Sequence, residues 1–270
     1  MSASVGKAGH ILRAFASGED ALTIRALADA TGLPRSTVHL LCRTLVEEDL
    51  LESVPGGGYR LGSMILQLGG RVIDRSGLVE ATEGSAAGLR RGHGQEIHVG
   101  QLVGGWIVYL HRESGPSKVA MVNRVGMRAP AFLSGCGKSG LAVLSGDDAW
   151  NRVQRSCVQD RIPMPDKGLL LSELAKARAQ GYIVSRTLQE GWTSVGAAVV
   201  GAEGVVGGLS IAGPSNTFPW SRIHEVGEAV SGAAAAASRR LLGRRGRKET
   251  WRSASGYPVH SSQDGTDLPA

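Results

Sequence analysis

Apolar side chains recur at helical spacing over the first part of the chain and indicate three short helices. Residues 5–17 predict the first helix, and Thr23 is suited to cap a second one that runs through Ala30. The turn Thr31–Pro34 follows, with Pro34 suited to the first position of a third helix, where an N–H has no intrahelical partner. The third helix has an apolar stripe made of Val38, Leu41, Leu45 and Val46. Two helices joined by a glycine-containing turn are typical of a helix-turn-helix.

A glycine-rich hairpin follows the third helix. Residues 50–54 and 59–61 predict two short strands, and Pro55–Gly58 predicts the turn between them. A helix-turn-helix followed by such a hairpin is typical of a winged helix-turn-helix, a unit whose second helix enters the DNA major groove. The stretch from Leu22 to Leu61 therefore predicts DNA binding.

The rest of the chain mixes helices and strands. Residues 62–75 predict a connecting helix, in which Gly69-Gly70 would allow a kink or hinge. The pattern then predicts helices at 78–92, 139–145, 171–180 and 223–242, and strands at 96–102, 106–111, 118–122, 196–200 and 207–212. Because the elements do not strictly alternate, we expect an α+β fold with a mainly antiparallel sheet.

These patterns divide the chain into four parts. We expect a winged helix-turn-helix at 1–61, a linker helix at 62–77, an α/β domain at 78–245 and a basic, disordered tail at 246–270. The chain shows no signal peptide and no apolar run long enough to span a membrane. Its three cysteines lack metal-ligand spacing, so we expect a cytoplasmic protein without a disulfide framework, zinc site or cofactor.

The net charge of +6 does not support the DNA-binding prediction, because the positive charge is in the wrong place. Residues 1–60 contain six cations against seven acids, whereas residues 239–252 contain seven cations against one acid. DNA binding must therefore be argued from local placement rather than from the isoelectric point.

The third helix lacks acidic residues from Arg35 to Val46, and acids cluster directly after it. Arginine can pair with guanine, and Ser or Thr near a helix N-terminus suits phosphate oxygens. The candidate DNA contacts are Arg35, Ser36, Thr37, His39 and Arg43 on the helix, with Tyr59 and Arg60 in the wing. The alternatives are an ordinary helical hairpin with a solvated face, and a Tyr59 that packs at the base of the wing.

The segment Ser134–Ser139 reads SGCGKS and precedes a predicted helix. Gly-Lys-Ser resembles the end of a phosphate-binding loop, but that motif requires glycine where this chain has Phe132. We therefore expect an anion or small-effector pocket at this helix N-terminus rather than a nucleotide-using enzyme. A loop chosen only for tight packing is the alternative, and a redox role for Cys136 is less favoured than packing.

Two later segments, 185–194 and 208–214, carry hydroxyls and glycines beside predicted strands and could face the same cavity. His98 and His111 lie in predicted strands and are expected to be core or surface residues. The sequence contains no credible set of nucleophile, base and acid, so we do not expect an enzyme.

Taken together, these motifs resemble the IclR-type bacterial transcriptional regulators. The resemblance rests on TIRALADATGLPRSTVHLLCRTLVEEDLLESVPGGGYRLGSMILQLG, VYLHRESGP, VNRVGMRAPAFLSGCGKSGLAVLS, LAKARAQGY and GGLSIAGPSNTF, and it covers about residues 5–243. It implies a C-terminal GAF-like effector-binding domain, dimers or tetramers, and a short palindromic DNA operator.

The resemblance also implies an effector pocket. Its residues would be Met121, Ser134, Gly135, Cys136, Gly137, Ser185, Ser194 and Ser210. This chain departs from the family pattern at several polar positions, including Phe132 and Ala212. The departures favour a larger, less charged ligand than a glyoxylate-like acid, such as an aromatic acid. A domain that binds no effector and serves only assembly is the alternative.

Overall fold

A computed structural model describes residues 3–116 and 124–243 of the chain. Its first elements are α1 (Ala3–Ala14), α2 (Ile24–Thr31), α3 (Arg35–Glu47), β1 (Leu51–Ser53) and β2 (Tyr59–Leu61). Thr23 caps α2 by accepting a hydrogen bond from the Ala26 N–H, as predicted. Gly32 ends α2 at φ 69°, a left-handed conformation that favours glycine. Helices α2 and α3 with the β1–β2 hairpin form a winged helix-turn-helix.

One apolar core holds this unit together. It contains Ile11, Phe15, Leu22, Leu27, Ala28, Val38, Cys42, Leu45, Leu51 and Tyr59. On α3, Cys42 is fully buried, whereas Leu41 and Val46 are only half-buried, so the buried stripe differs from the predicted one. Pro34 occupies the N-cap in an extended conformation rather than the first helical position.

Two further helices lead into the second half of the chain: α4 (Ser63–Ser76) and α5 (Leu78–His93). Helix α4 is continuous through Gly69 and Gly70, and a kink or hinge there stays a prediction. The chain changes direction at Gly77, where φ is 63°. A left-handed glycine therefore separates α4 from α5.

A six-stranded antiparallel sheet forms the centre of the second half. Its strands are β3 (Glu96–Val103), β4 (Trp106–Glu113), β5 (Arg128–Pro130), β6 (Ile183–Ser185), β7 (Trp192–Gly201) and β8 (Gly204–Pro214). They lie in the order β5-β4-β3-β8-β7-β6, and every pair is antiparallel. The expectation of an α+β fold with a mainly antiparallel sheet is confirmed.

Helices cover both faces of this sheet. Helix α5 and the long α9 (Trp220–Gly243) pack on the face that carries Ile97, Val195 and Leu209. The opposite face carries α6 (Gly135–Val143), with α7 (Gly146–Asp160) and α8 (Lys167–Gln180) outside it. None of the helices in the two described ranges is long and apolar enough to cross a bilayer.

Helix α7 and the short strands β5 and β6 were not predicted. The strand expected at 118–122 overlaps residues that the structure does not describe, and the tail expected at 246–270 lies wholly outside the described ranges.

Candidate functional site

Helix α3 presents a continuous exposed face that contains most of the predicted DNA contacts. Arg35, Ser36, His39 and Arg43 are exposed, and Thr37 is half-buried. The opposite side of the helix is anchored in the core by Val38, Cys42 and Leu45. The Arg43 guanidinium lies 4.0 Å from the Glu47 carboxylate, one turn later, and both side chains are mostly exposed. One side of α3 is thus packed into the core, and its polar side is exposed.

The two wing residues have different environments. The Arg60 side chain is exposed, and its Nε and Nη2 donate to Glu52 Oε2 across the hairpin at 2.9 and 2.7 Å. Tyr59 is only 9% exposed and lies in the apolar core, while its backbone pairs with Leu22. The alternative reading of Tyr59, a ring packed at the base of the wing, is the one that the structure supports. Burial of the ring therefore argues against Tyr59 as a phosphate contact.

This placement of Tyr59 has a testable consequence. We expect Tyr59→Ala to lower the free energy of unfolding by about 3–5 kcal/mol, because it removes a ring from the core. Tyr59→Phe should keep the packing and the DNA affinity. Urea unfolding and DNA titration of both variants check this, and a Tyr59→Phe protein that is stable but weak in DNA binding would restore the contact role.

Six of the eight predicted effector residues meet where α6 begins. Ser134 caps α6 by accepting from the Gly137 N–H at 2.9 Å. The Gly135 N–H donates to Ser194 Oγ on β7 at 3.2 Å. Cys136 Sγ lies 3.0 Å from Ser210 Oγ on β8. The structure thus brings the helix N-terminus and the hydroxyl-bearing strands together, as the sequence suggested.

A neighbouring hydroxyl pair completes this arrangement. Ser185 Oγ and Thr187 Oγ1 both donate to the Leu133 carbonyl, at 3.0 and 2.9 Å. Ser194 Oγ donates to the Ser185 carbonyl at 3.4 Å. Ser185 therefore belongs to the same network. Met121 lies outside the described residues, so its predicted role stays a prediction.

Glycines allow α6 to lie directly on the sheet. A Cβ on Gly208 would meet the Cys136 carbonyl oxygen at 2.4 Å, and one on Gly196 would meet the Gly135 oxygen at 2.3 Å. Gly135 N–H and Gly137 N–H are both occupied by serine hydroxyls. A ligand that bound these amides would therefore replace serine hydroxyls rather than fill unused positions.

Lys138 and Ser139, the remainder of the Gly-Lys-Ser sequence, point to other partners. Lys138 Nζ lies 2.9 Å from Glu173 on α8, and the Lys138 side chain is only 6% exposed. Ser139 Oγ donates to the Cys136 carbonyl. The cation that a nucleotide phosphate would need is thus neutralised by a protein carboxylate, which weakens the nucleotide alternative.

The same sheet face carries three charged or titratable residues that sequence analysis did not assign to a site: Glu96, His98 and Arg112. Glu96 Oε1 accepts from Arg112 Nη2 at 2.8 Å, and Glu96 Oε2 lies 3.3 Å from His98 Nε2. Glu96 and His98 are buried. The alternation of Glu96, His98 and Gly100 along β3 was the available signal, since alternate strand residues share a face.

Two sequence profiles match the chain over most of its length. One describes the IclR helix-turn-helix domain and matches residues 4–55. The other describes the C-terminal domain of the bacterial transcriptional regulator IclR and matches residues 70–239. The chain belongs to the IclR family. As in that family, a DNA-binding helix-turn-helix domain precedes an effector-binding domain, and the protein is a transcriptional regulator.

Individual proteins are similar to this chain in sequence or in fold. The transcriptional regulator KipR of Bacillus subtilis is 28% identical over 226 residues, which cover 82% of this chain and 90% of KipR. The regulator XynR of Escherichia coli is 30% identical over 183 residues, 66% of this chain and 72% of XynR. The crystal structure of an IclR homolog from Microbacterium hydrocarbonoxydans, complexed with 4-hydroxybenzoate, superposes with a TM-score of 0.73. It is 22% identical and covers 88% of this chain and 99% of that one.

The cysteines of this IclR-family protein lie in environments that disfavour the thiolate. All three are buried and free, and burial raises the pKa of Cys42 to about 11 and that of Cys136 to about 12. Burial also raises the pKa of the Cys157 thiol. The thiolate is the reactive form, so we expect no reaction of native protein with Ellman's reagent at pH 8. Three thiols should react in denaturant. One fast-reacting thiol in the native state would revive the redox interpretation of Cys136.

Glu96 gives the stability of the protein a pH dependence. Burial raises the pKa of Glu96, but the nearby His98 ring and the Arg112 guanidinium outweigh it and hold the pKa below its ordinary value. A lowered carboxyl pKa contributes stability above the unfolded value of about 4.3, and this is lost as the pH falls through the folded value. We expect Glu96→Gln to be less stable than wild type at pH 7, with the gap shrinking below about pH 4. Urea unfolding at three pH values measures the gap, and a gap independent of pH would contradict this account.

Proposed function

We propose that α3 reads the major groove of an operator through Arg35, Ser36, Thr37, His39 and Arg43, with Arg60 contacting phosphate from the wing. The observation that carries this proposal is the exposed face of α3 from Arg35 to Arg43, which carries no acidic residue and lies over an apolar core. Arg60 would exchange part of its pairing with Glu52 for a phosphate. The protein would act in the cytoplasm, by binding rather than by catalysis.

We also propose that two or more copies bind one palindromic operator. None of the α4 residues is buried, and three of its apolar side chains are more than half exposed: Leu66, Leu68 and Val72. Leu68 and Val72 lie one turn apart on the same side of the helix, and monomeric proteins seldom expose large apolar patches. A second copy that covered α4 would place two reading helices in one complex, as a two-fold symmetric operator requires.

The proposed effector is a small carboxylic acid, with an aromatic acid preferred. The positive end of α6 favours an anion, and the surrounding residues are hydroxyl-bearing or small. The 4-hydroxybenzoate bound to a homolog of the same fold supports this class of ligand. Binding would displace the serine hydroxyls from the α6 amides and shift α6 against β7 and β8. The boundary at Gly77 would pass that shift to the DNA-binding domain.

Selection of random DNA duplexes by the full-length protein tests the DNA half of this proposal. We expect enrichment of two inverted half-sites, centred about one helical turn or a multiple of it apart, roughly 34 Å per turn. Sedimentation of the protein on the selected duplex should give two or four copies per site. The absence of any enriched sequence would contradict operator reading by α3.

A melting-shift screen tests the effector half. Aliphatic acids, aromatic acids and neutral analogues of both are added to wild type, and each compound that raises the melting temperature is then titrated into the protein–operator complex. We expect an acid to stabilise the protein and change its operator affinity. Normal operator binding with no response to any compound would favour a domain used only for assembly.

A further inference from the structure

We propose that Glu96, His98 and Arg112 form a second polar end of the effector site, which binds an un-ionised hydroxyl group of a cyclic or aromatic acid. This inference rests on the proposed effector function of the domain. It adds the chemical group that the ligand must carry at the end away from α6, and the residues that recognise it.

The first argument is that the three side chains have unused hydrogen-bonding capacity. Within the described part of the chain, Glu96 Oε2, His98 Nε2 and Arg112 Nε are buried atoms without a hydrogen-bond partner. Glu96 Oε2 and His98 Nε2 lie 3.3 Å apart but are not aligned for a hydrogen bond. Both side chains are only 2% exposed, so water does not replace the missing partners freely. Buried polar groups are nearly always satisfied, and exceptions call for a reason.

The second argument is continuity with the site at α6. In the sheet, His98 lies opposite Ser210 and Glu96 lies opposite Ala212. The His98 carbonyl accepts from Cys136 Sγ at 3.4 Å, and the same sulfur lies 3.0 Å from Ser210 Oγ. The cluster is therefore adjacent to the start of α6 through Cys136 and Ser210, and the proposed ligand would have to contact both.

Apolar groups flank the connection between the two ends. Cys136 packs in a small cluster with Ile107, Tyr109 and Ala129, and the Tyr109 ring meets the His98 ring edge-on at a centroid distance of 5.7 Å. Such a boundary suits a ring or another apolar body between two polar ends.

The chemistry of the unused atoms selects a hydroxyl. Glu96 Oε2 accepts a hydrogen bond, whereas Arg112 Nε donates one, and the His98 ring can do either according to its tautomer. A second carboxylate would face the Glu96 charge, and an ammonium would face Arg112. A hydroxyl both donates and accepts, so it satisfies the cluster without adding charge. A site built for a hydroxyl rejects the analogue that lacks it, because its buried polar groups are then left unpaired.

Calorimetric titration with 4-hydroxybenzoate and benzoate tests the inference, because these probes differ by one hydroxyl. We expect wild type to bind 4-hydroxybenzoate at least about tenfold more tightly than benzoate. Glu96→Gln and His98→Leu should reduce this preference to less than about threefold, chiefly by weakening 4-hydroxybenzoate. If one variant fails to fold, the other still measures the preference.

His111→Gln is the matched control. His111 Nε2 lies 3.1 Å from Glu113, and this partly buried His–Glu pair belongs to the β3–β4 hairpin like the pair of His98 and Glu96. His111 lies opposite Val99, on the side of the sheet that α5 and α9 cover. It should keep the wild-type preference. A cluster that only braces the strands would lower the melting temperature of the variants and leave the preference unchanged, which overturns the inference.

Wild type that binds neither probe, or binds both equally, also overturns the inference. The proposed function then stands or falls separately, on whether another compound in the melting-shift screen changes operator affinity.

Discussion

Alanine at Arg35 or at Arg43 is expected to weaken operator binding by about 5- to 150-fold, the effect of losing roughly 1–3 kcal/mol from a side chain that reads a base edge. Both side chains are exposed on α3, and neither belongs to the core behind it. The free energy of unfolding should therefore change by no more than about 0.5 kcal/mol. Fluorescence anisotropy on the selected operator, beside urea unfolding, measures both quantities.

Arg25→Ala is the matched control for this experiment. Arg25 lies on α2 and pairs with Asp29 one turn later at 3.9 Å, much as Arg43 pairs with Glu47 at 4.0 Å. It carries the same charge and a similar exposed pair, but it is not on α3. Wild-type affinity in Arg35→Ala and Arg43→Ala, or an equal loss in Arg25→Ala, would show that α3 does not read the operator.

The salt dependence of binding distinguishes phosphate contacts from base contacts. Loss of a phosphate contact weakens binding to all sequences and lowers the slope of log affinity against log salt by about one. Loss of a base contact relaxes the sequence preference at one position instead. Arg60→Ala should give the first result, and at least one of Arg35→Ala and Arg43→Ala the second.

The winged helix-turn-helix could be predicted in detail because its determinants are local. Thr23 caps α2, Gly32 ends it, and Gly56 and Gly57 take positive φ values in the wing turn. Each of these residues determines the backbone conformation only a few positions away, so the local sequence pattern is enough to predict the helix ends and the turn. Tyr59 was ambiguous because its burial depends on a core shared with Leu22 and Cys42, which local sequence does not reveal.

The second half of the chain was predicted less completely, since its elements depend on distant contacts. Strands β5 and β6 have three residues each and exist only because β4 and β7 pair with them. The cluster of Glu96, His98 and Arg112 depends on a register shift in the β3–β4 pairing between Val99 and Gly100. Local sequence does not show this shift. It therefore does not reveal that Arg112 lies opposite His98, on the face that carries α6.

Gly208→Ala is expected to have the second large effect, on both stability and effector binding. Its Cβ would lie 2.4 Å from the Cys136 carbonyl oxygen and 2.7 Å from Ser139 Oγ, both on α6. Because a backbone atom is involved, α6 must move away from β8. Forcing an extra methyl into a packed interior costs about 1–3 kcal/mol, or roughly 2–10 °C of melting temperature for a chain of this size.

The movement of α6 should also disrupt the contacts at its N-terminus. Cys136 and Ser210 would separate, and a ligand that bridges α6 and β8 would lose one of its two surfaces. We expect effector affinity to fall by about tenfold or more, equivalent to roughly 1.4 kcal/mol. The melting temperature and the ligand-induced melting shift are read from the same experiment, with and without the acid identified in the screen.

Gly232→Ala serves as the control, because its Cβ would meet no described atom within 4 Å apart from its chain neighbours and the backbone of its own helix. It lies inside α9, where alanine in place of glycine should stabilise the protein by up to about 1 kcal/mol. Effector affinity should stay at the wild-type value. If Gly208→Ala instead matched wild type in melting temperature and ligand response, α6 would not rest on β8 as described, and the effector site would have to lie elsewhere in the domain.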